Sequence, residues 1–401
     1  MSLPLLTLDE AQARLLALVT PTPLEHGDMD SARGRYLIEP LTARRTQPAA
    51  DMSAMDGYAL CADDLTGPWT VTGESAAGRP CAAQVTPGHA VRISTGALIP
   101  AGAGVVVVQE DCARAGDRLT LTGTPPQPAD KHIRRAGFDF AAGAELLPAG
   151  TWMGPAQIAL ALSAGHSHLA VHHRPRLAII DSGDELAPRG AECAVHQIPA
   201  SNGAMLAAMA AQVPCDIRRH GPVPDDLTAL ITAFDGTGDA DIIVTSGGAS
   251  VGDHDLIRPA LERWGAELDF WRVAIRPGKP LLVARRGRQI VLGLPGNPVS
   301  SLVTAYLFLL PVLRAMLGAA DPLPRRVMAR LSEDIGPGGD RREFLRGAWD
   351  GMTVTPRHMR DSSALAAMAA SNCLIERRES AAAKVAGEMV AIYPLNGGCG
   401  A

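Results

Sequence analysis

The sequence predicts a multidomain protein of mixed α/β plus all-β class. Its expected centre is a doubly wound, mostly parallel α/β domain, joined to a β-barrel-like domain, an N-terminal helical and extended domain and a C-terminal β domain. Three observations predict this. At 401 residues the chain is too long for one ordinary core. Up to about residue 140, short alternating or β-branched runs are separated by Gly and Pro turns, as in a small barrel or sandwich. Beyond Pro175, apolar strands alternate with helical patterns, the signature of βαβ units.

Each element has a local reason. TLDEAQARLLALV (7–19) places Thr7 and Glu10 in capping-box spacing ahead of an amphipathic repeat, which predicts one helix. Residues 33–45 read as extended and lead to a loop, PAADMSAMDGYAL (48–60). WTVTG, HAVRIST, GVVVVQE and DRLTLTG follow as strands. Residues 143–175 hold a short strand, a helix from Pro155 to Gly165 and a strand through HSHLAVHHR. We expect this segment to pack with the N-terminal helix, making that layer discontinuous in sequence. RLAIID, CDIRRHG, DIIVTS, WRVAI, LLVA and IVLGL are the expected strands of the α/β domain. Helices are expected around 201–212, 224–234 and 256–264, with a long one from Pro298. Residues 325–401 read as short strands around one helix, SSALAAMAASN.

Composition removes several function classes. Hydrophobic residues make up 47% and charged residues 20%, a globular balance. Lys and Arg number 37 against 42 Asp and Glu, a net charge of −5, which argues against nucleic acid as the main partner. Seven cysteines with no CxxC pair fit a reducing cytoplasmic setting without disulfides or structural zinc. The N-terminus has no basic n-region or apolar h-region, so no secretion signal is expected. The apolar stretch 299–320 is interrupted by Pro311 and Arg314, so it is expected to be a buried helix and no membrane is expected as partner.

In an open parallel sheet, ligands bind outside the carboxyl ends of the strands. Three such ends are rich in glycine and oxygen: Asp181-Ser182-Gly183-Asp184-Glu185, the run TSGGASVGDHD (245–255), and Pro295-Gly296-Asn297-Pro298-Val299-Ser300-Ser301. Gly247 and Gly248 allow close backbone approach to an anion, with N–H groups as donors, and Ser246 and Ser250 add hydroxyls. Asn297 and Pro298 suit a helix start with free N–H groups. Glu185 and Asp255 add carboxylates, which together with phosphate would hold Mg²⁺. Arg272, Arg276 and Lys279 bring positive charge for anionic oxygens. Each feature alone also reads as a plain turn, helix cap or solvated rim; their convergence on one sheet edge is what points to an anion site. His166, His168 and His172 share a strand parity but lack a flanking acid or cysteine at ligand spacing, so they read as a surface strand.

These motifs in order resemble the molybdopterin molybdenumtransferase family, the MoeA and gephyrin E-domain proteins: SAMDGYAL, RISTGALIPAGAGVVVVQE, HIRRAGFDFAAG, DSGDEL, TSGGASVGDHD, WRVAIRPGKP, LPGNPVSS and RREFLRG. The resemblance implies an enzyme that takes adenylylated molybdopterin and molybdate, inserts molybdenum and releases AMP, with Mg²⁺ or a similar divalent cation. It implies a central domain of molybdopterin-binding type and an elongated homodimer with a composite cleft. Contacts with other molybdenum cofactor biosynthesis proteins are implied as well. The implied layout is domain I, 1–45 plus 143–175; domain II, 46–142; domain III, 176–324; and domain IV, 325–401. Position by position, the implied catalytic residues are Asp56, Thr95, Asp139, Glu185, Asp225 and Asp255, with Glu185 and Asp255 on the metal. The implied substrate-binding residues are Ser246, Gly247, Gly248, Ser250, Gly252, Arg272, Arg276, Lys279, Pro295, Gly296, Asn297, Pro298 and Ser300. Arg341 and Arg346 would reach in from domain IV. Asp56, Thr95 and Asp139 would reach the crevice only if the β-rich domain folds over it, in this chain or its partner. Arg272 and Arg276 stand where many relatives carry lysine, exchanging a point charge for a planar fork. Two other readings compete: an adenylyltransferase or nucleotide hydrolase of the same subfold, and a scaffold of the gephyrin E-domain kind.

Overall fold

A computed structural model of the chain describes residues 5–188, 190–247, 256–358 and 361–395. The chain divides into two compact units, Met1–Glu39 with Ala149–Pro155 and His168–Ala401, and Pro40–Pro148 with Ala156–Ser167.

The larger unit is built on a six-stranded sheet. Its spatial order is Asp216–Val223, Arg176–Ser182, Ile242–Ser246, Gln289–Leu294, Leu282–Arg286 and Glu267–Trp271. The first four strands are parallel and the last two pair antiparallel. Alternate residues feed opposite layers, as the pleat requires. Leu177, Ile179, Ile242, Val244 and Leu292 pack with helix Asn202–Ala210 and the long helix from Pro298. Ala178, Ile180, Ile243 and Val291 pack with Phe234, Leu261 and Trp264 of the other two helices. The sheet is therefore doubly wound.

The stretch WRVAI is not one strand, contrary to the sequence expectation. Arg272 adopts φ 77°, a left-handed conformation that ends the strand at Trp271. Ile275–Arg276 then pairs in parallel with Arg342–Glu343 of the C-terminal sheet. There Arg342–Trp349, Thr353–Pro356, Val327–Leu331, Met389–Pro394 and Cys373–Arg377 form a ring, closed by pairing of Arg342–Trp349 with Cys373–Arg377. The helix of this segment is Leu365–Ala369.

The N-terminal helix, Leu8–Ala17, carries the expected reciprocal capping box between Thr7 and Glu10. Leu8, Ala11 and Leu15 pack on the long helix, so residues 143–175 join not this helix but the segment after it, and the layer is discontinuous in sequence as expected. Pro311 has no N–H to give the Leu307 carbonyl, and buried Gln12 donates its Nε2–H to that carbonyl at 2.8 Å. Strand His168–His172 pairs instead with Leu24–Asp28. The segment Pro298–Met316 is long and apolar enough to cross a membrane, with mean hydropathy 1.7, but 83% of it is buried inside the protein.

The smaller unit holds a third six-stranded sheet, ordered Val105–Val108, Gly57–Leu60, His89–Ile93, Trp69–Ser75, Arg118–Leu121 and Cys112–Ala115. The end of the expected 48–60 loop is thus a strand, fully buried between two neighbours. Loop-like residues at its start hid it. Gly57 is required there, since a Cβ would lie 1.9 Å from the Val107 carbonyl oxygen. Gly57→Ala is expected to destabilise this unit by about 2 kcal/mol, read as an earlier thermal transition; an unchanged transition would contradict that packing.

Candidate functional site

The three glycine-rich strand ends meet. Ser182 and Glu185, Ser246 and Gly247, and Gly296 and Pro298 line one crevice at the carboxyl edge of the parallel strands. Close backbone approach makes the meeting tight. A Cβ on Gly247, at φ 112°, would lie 2.6 Å from the Ser182 carbonyl, and a Cβ on Gly296 would lie 3.6 Å from the Gly247 Cα. Pro295 begins the turn at the end of its strand, and Asn297 begins the helix without a side-chain cap bond.

Two donor expectations are corrected. The Gly247 N–H donates to the Leu294 carbonyl at 3.3 Å, so Gly247 offers bare surface more than a donor. At the helix start, the Val299 N–H donates to the Ser362 carbonyl at 3.1 Å and the Ser301 N–H to Asn297 at 2.9 Å. Pro298 has no N–H, so Ser300 holds the N–H without a backbone partner among the described residues. The crevice donors are instead hydroxyls. Ser182 Oγ and Ser246 Oγ are buried there without hydrogen-bond partners among the described residues. Such groups are costly to bury unless water or a ligand meets them.

The carboxylates differ in setting. Glu185 is exposed, and its carboxylate lies over Gly183, where a Cβ would be 2.5 Å away. Asp225 follows strand Asp216–Val223, and its N–H donates to the Asp184 carboxylate at 3.0 Å. Asp181 is buried, only 4% exposed, and burial pushes its carboxyl above the usual value, offset in part by the Gly203 N–H and by Arg219 at 3.8 Å. Gly248, Ser250, Gly252 and Asp255 lie outside the described residues.

One residue beyond Pro298, a second space opens. A cavity of about 420 Å³ is lined by Arg276, Lys279, Ser300, Arg341 and Arg346, all five anticipated, together with Arg357, Glu343 and Asp361. Five cations against two carboxylates give it a net positive lining, suited to an anion. Arg276 donates to Glu343 at 3.2 Å, and Arg377 donates to the other Glu343 oxygen at 3.1 Å. Arg346 is buried, which lowers its guanidinium pKa, and it donates to the Ala364 carbonyl at 3.1 Å. The Lys279 ammonium has no ion pair among the described residues. Arg272 is not among the lining residues; its guanidinium stacks 4.1 Å over the Trp271 ring.

In the smaller unit, Asp56 and Thr95 are together. The Thr95 N–H donates to Asp56 Oδ1 at 2.6 Å, and hydrogen bonding from Thr95 holds the Asp56 carboxyl below its usual value. Asp139 is exposed on the turn after Arg135, with its backbone N–H on the Gln47 carbonyl at 3.0 Å. Of the histidines, His166 Nε2 lies 2.8 Å from the Thr42 carbonyl and His172 Nδ1 contacts the Thr22 carbonyl.

Sequence reasoning missed Asn202 and Ser201, which line the crevice. Asn202 Nδ2 donates to the Gly296 carbonyl at 2.7 Å. Their signal was the polar SN pair directly before a helical run. Glu343, Arg357 and Asp361 were hidden because they lie more than 40 residues beyond the helix start they approach, Glu343 on a strand of the C-terminal sheet and the other two in the segment after strand Thr353–Pro356.

A β-rich N-terminal part, a doubly wound domain with a ligand-sized crevice at its strand ends and a closed C-terminal ring together define a multidomain class of protein built around a sheet-edge binding site. Family models match throughout: "MoeA N-terminal region (domain I and II)" over residues 6–165, "Probable molybdopterin binding domain" over 178–315 and "MoeA C-terminal region (domain IV)" over 328–395. A molybdopterin molybdenumtransferase of Haemophilus influenzae is 32% identical, covering 98% of this chain and 99% of that protein. Molybdopterin molybdenumtransferase 2 of Mycobacterium tuberculosis is 33% identical over 92% of this chain and 94% of its own. The crystal structure of the molybdopterin biosynthesis MoeA protein from Pyrococcus horikoshii superposes with a TM-score of 0.82 at 27% identity, covering 98% of this chain and 100% of that one. The chain belongs to the MoeA family of molybdopterin molybdenumtransferases.

Proposed function

We propose that the protein is a molybdopterin molybdenumtransferase, which takes adenylylated molybdopterin and molybdate, inserts molybdenum and releases AMP in cofactor biosynthesis. The observation that carries this is the pair of anion-suited spaces flanking one helix start, the crevice ending at Pro298 and the cationic cavity beginning at Val299. The names of the relatives support the same reading.

In this reading the phosphates lie in the crevice. Gly247 and Gly296 let them approach the backbone, and the Ser182 and Ser246 hydroxyls donate to their oxygens. Molybdate, itself an oxyanion, lies in the cavity with Arg276, Lys279 and the Ser300 N–H, and with Arg341 and Arg346 from the C-terminal ring. Asp225 orders the crevice rim through Asp184. Asp56, Thr95 and Asp139 of the β-rich part are the further catalytic residues of this reading. Beside Asp181, whose carboxylate accepts the Gly203 N–H, the crevice offers hard oxygens from the Glu185 carboxylate and from two hydroxyls without partners among the described residues, a set that suits Mg²⁺. Glu185 would hold it, with Asp255 as its partner. When bound, the ion supplies charge neutralisation at the phosphates and orders the attacking oxygen. The four-domain layout, a homodimer and a cytoplasmic setting belong to the same reading; the descriptions of the matched family models support the layout.

The test is to mix the protein with adenylylated molybdopterin, Mg²⁺ and molybdate and follow AMP. Molybdate-dependent release is expected. AMP release without molybdate would favour a nucleotide hydrolase, and no release would favour a scaffold.

A further inference from the structure

Helix Asn202–Ala210 begins at the crevice, yet Ser201, at its cap position, makes no side-chain cap bond. The missing acceptor comes from another element. Asp181, at the end of strand Arg176–Ser182, accepts the Gly203 N–H at 2.8 Å. That N–H is one a helix's own cap residue usually takes. The fit is close: a Cβ on Gly203 would lie 2.2 Å from Asp181 Oδ2, and one on Gly221 would lie 2.4 Å from the Asp181 carbonyl. Arg219 stands 3.8 Å from the same carboxylate. The residue before Gly203 is Asn202, which donates to the Gly296 carbonyl at 2.7 Å.

We propose that Asp181 is a positioning residue: by capping helix Asn202–Ala210 from a neighbouring strand, it holds Asn202 against Gly296 and so fixes the glycine turn on which the substrate phosphates rest. This rests on the proposed function for its substrate, but not for the link itself. Two physical points favour it. A carboxylate already satisfies this helix start, so its N–H groups do not compete for the incoming anion, which meets the Ser182 and Ser246 hydroxyls instead. And the Asn202 side chain reaches Gly296 only if the first helical turn is held where Asp181 holds it.

The experiment compares Asp181→Ala, Asp181→Asn, Asn202→Ala and the Ala double variant in the full chain. Two readouts are used, steady-state AMP release and amide hydrogen exchange. Asp181→Ala and Asn202→Ala are each expected to raise KM for adenylylated molybdopterin roughly tenfold, with kcat changing much less. Asp181→Asn keeps an acceptor oxygen and is expected to restore KM. The double variant is expected to be no worse than either single one, because the two residues act in series. Exchange is expected to quicken at the Leu294, Gly296 and Asn297 amides in both single variants. Asn202→Ala leaves the buried carboxylate untouched, so it tests the link even if Asp181→Ala folds poorly. Wild-type KM in Asn202→Ala, additive losses in the double variant, or quickened exchange confined to 202–206 in Asp181→Ala would overturn the proposal. If the wild-type protein released no AMP, the functional reading would fail while exchange still decided the link.

Discussion

Glu185→Gln is expected to lower molybdate-dependent AMP release about 100-fold while leaving thermal unfolding unchanged. The side chain is exposed on the turn after strand Arg176–Ser182, so the amide is tolerated sterically. What the variant loses is charge. The carboxylate lies over Gly183, and Glu185 lines the same crevice as two buried hydroxyls without partners among the described residues. In the proposed function, phosphate chemistry there would depend on electrostatic stabilisation and positioning. Chelation with EDTA sharpens the test: the wild-type rate should fall, whereas the residual rate of Glu185→Gln should barely respond. A variant with full activity, or one with full EDTA sensitivity, would remove Glu185 from the metal role.

The largest stability effect is expected at Arg342. Its side chain, 8% exposed, meets Asp9 at 2.7 Å, Glu379 at 3.2 Å and Glu376 at 3.6 Å. Glu376 is itself only 2% exposed. Arg342→Ala leaves that carboxylate with Arg326 at 3.2 Å as its remaining ion pair among the described residues. Breaking a buried pair from one side costs about 3 kcal/mol or more, so a clear drop in the denaturant midpoint is expected. Acid adds a second signature. The Arg342 hydrogen bond holds the Asp9 carboxyl below its ordinary value of 3.8. Its contribution is therefore complete above that value and is lost as pH falls through the depressed one. Arg342→Ala should flatten this acid limb. An unchanged midpoint and the same acid limb would mean the cluster contributes little.

The strands and helices of the α/β domain were legible because their apolar periods are strong, and so was the meeting of the three strand ends. What local pattern could not show was how backbone donors are used. The Val299 N–H is occupied by Ser362, over 60 residues away in sequence, and the Gly247 N–H by Leu294. The break at Arg272 escaped notice because WRVAI is apolar and β-branched on both sides of a left-handed residue. Gly57–Leu60 read as loop because its glycine, needed for a close strand approach, also signals a turn. The cationic cavity was half visible: Arg276, Lys279 and Ser300 lie near each other in sequence, whereas Glu343 joins them through a strand pairing between Ile275–Arg276 and Arg342–Glu343.

The most direct test of the central claim is a crystal structure of the protein soaked with AMP and molybdate. The account expects the AMP phosphate against Ser182, Ser246, Gly247 and Gly296, and the anomalous molybdenum signal among Arg276, Lys279 and Ser300, on the other side of the Pro298 helix start. Molybdenum in the crevice with AMP elsewhere, or both ligands far from that helix start, would contradict it.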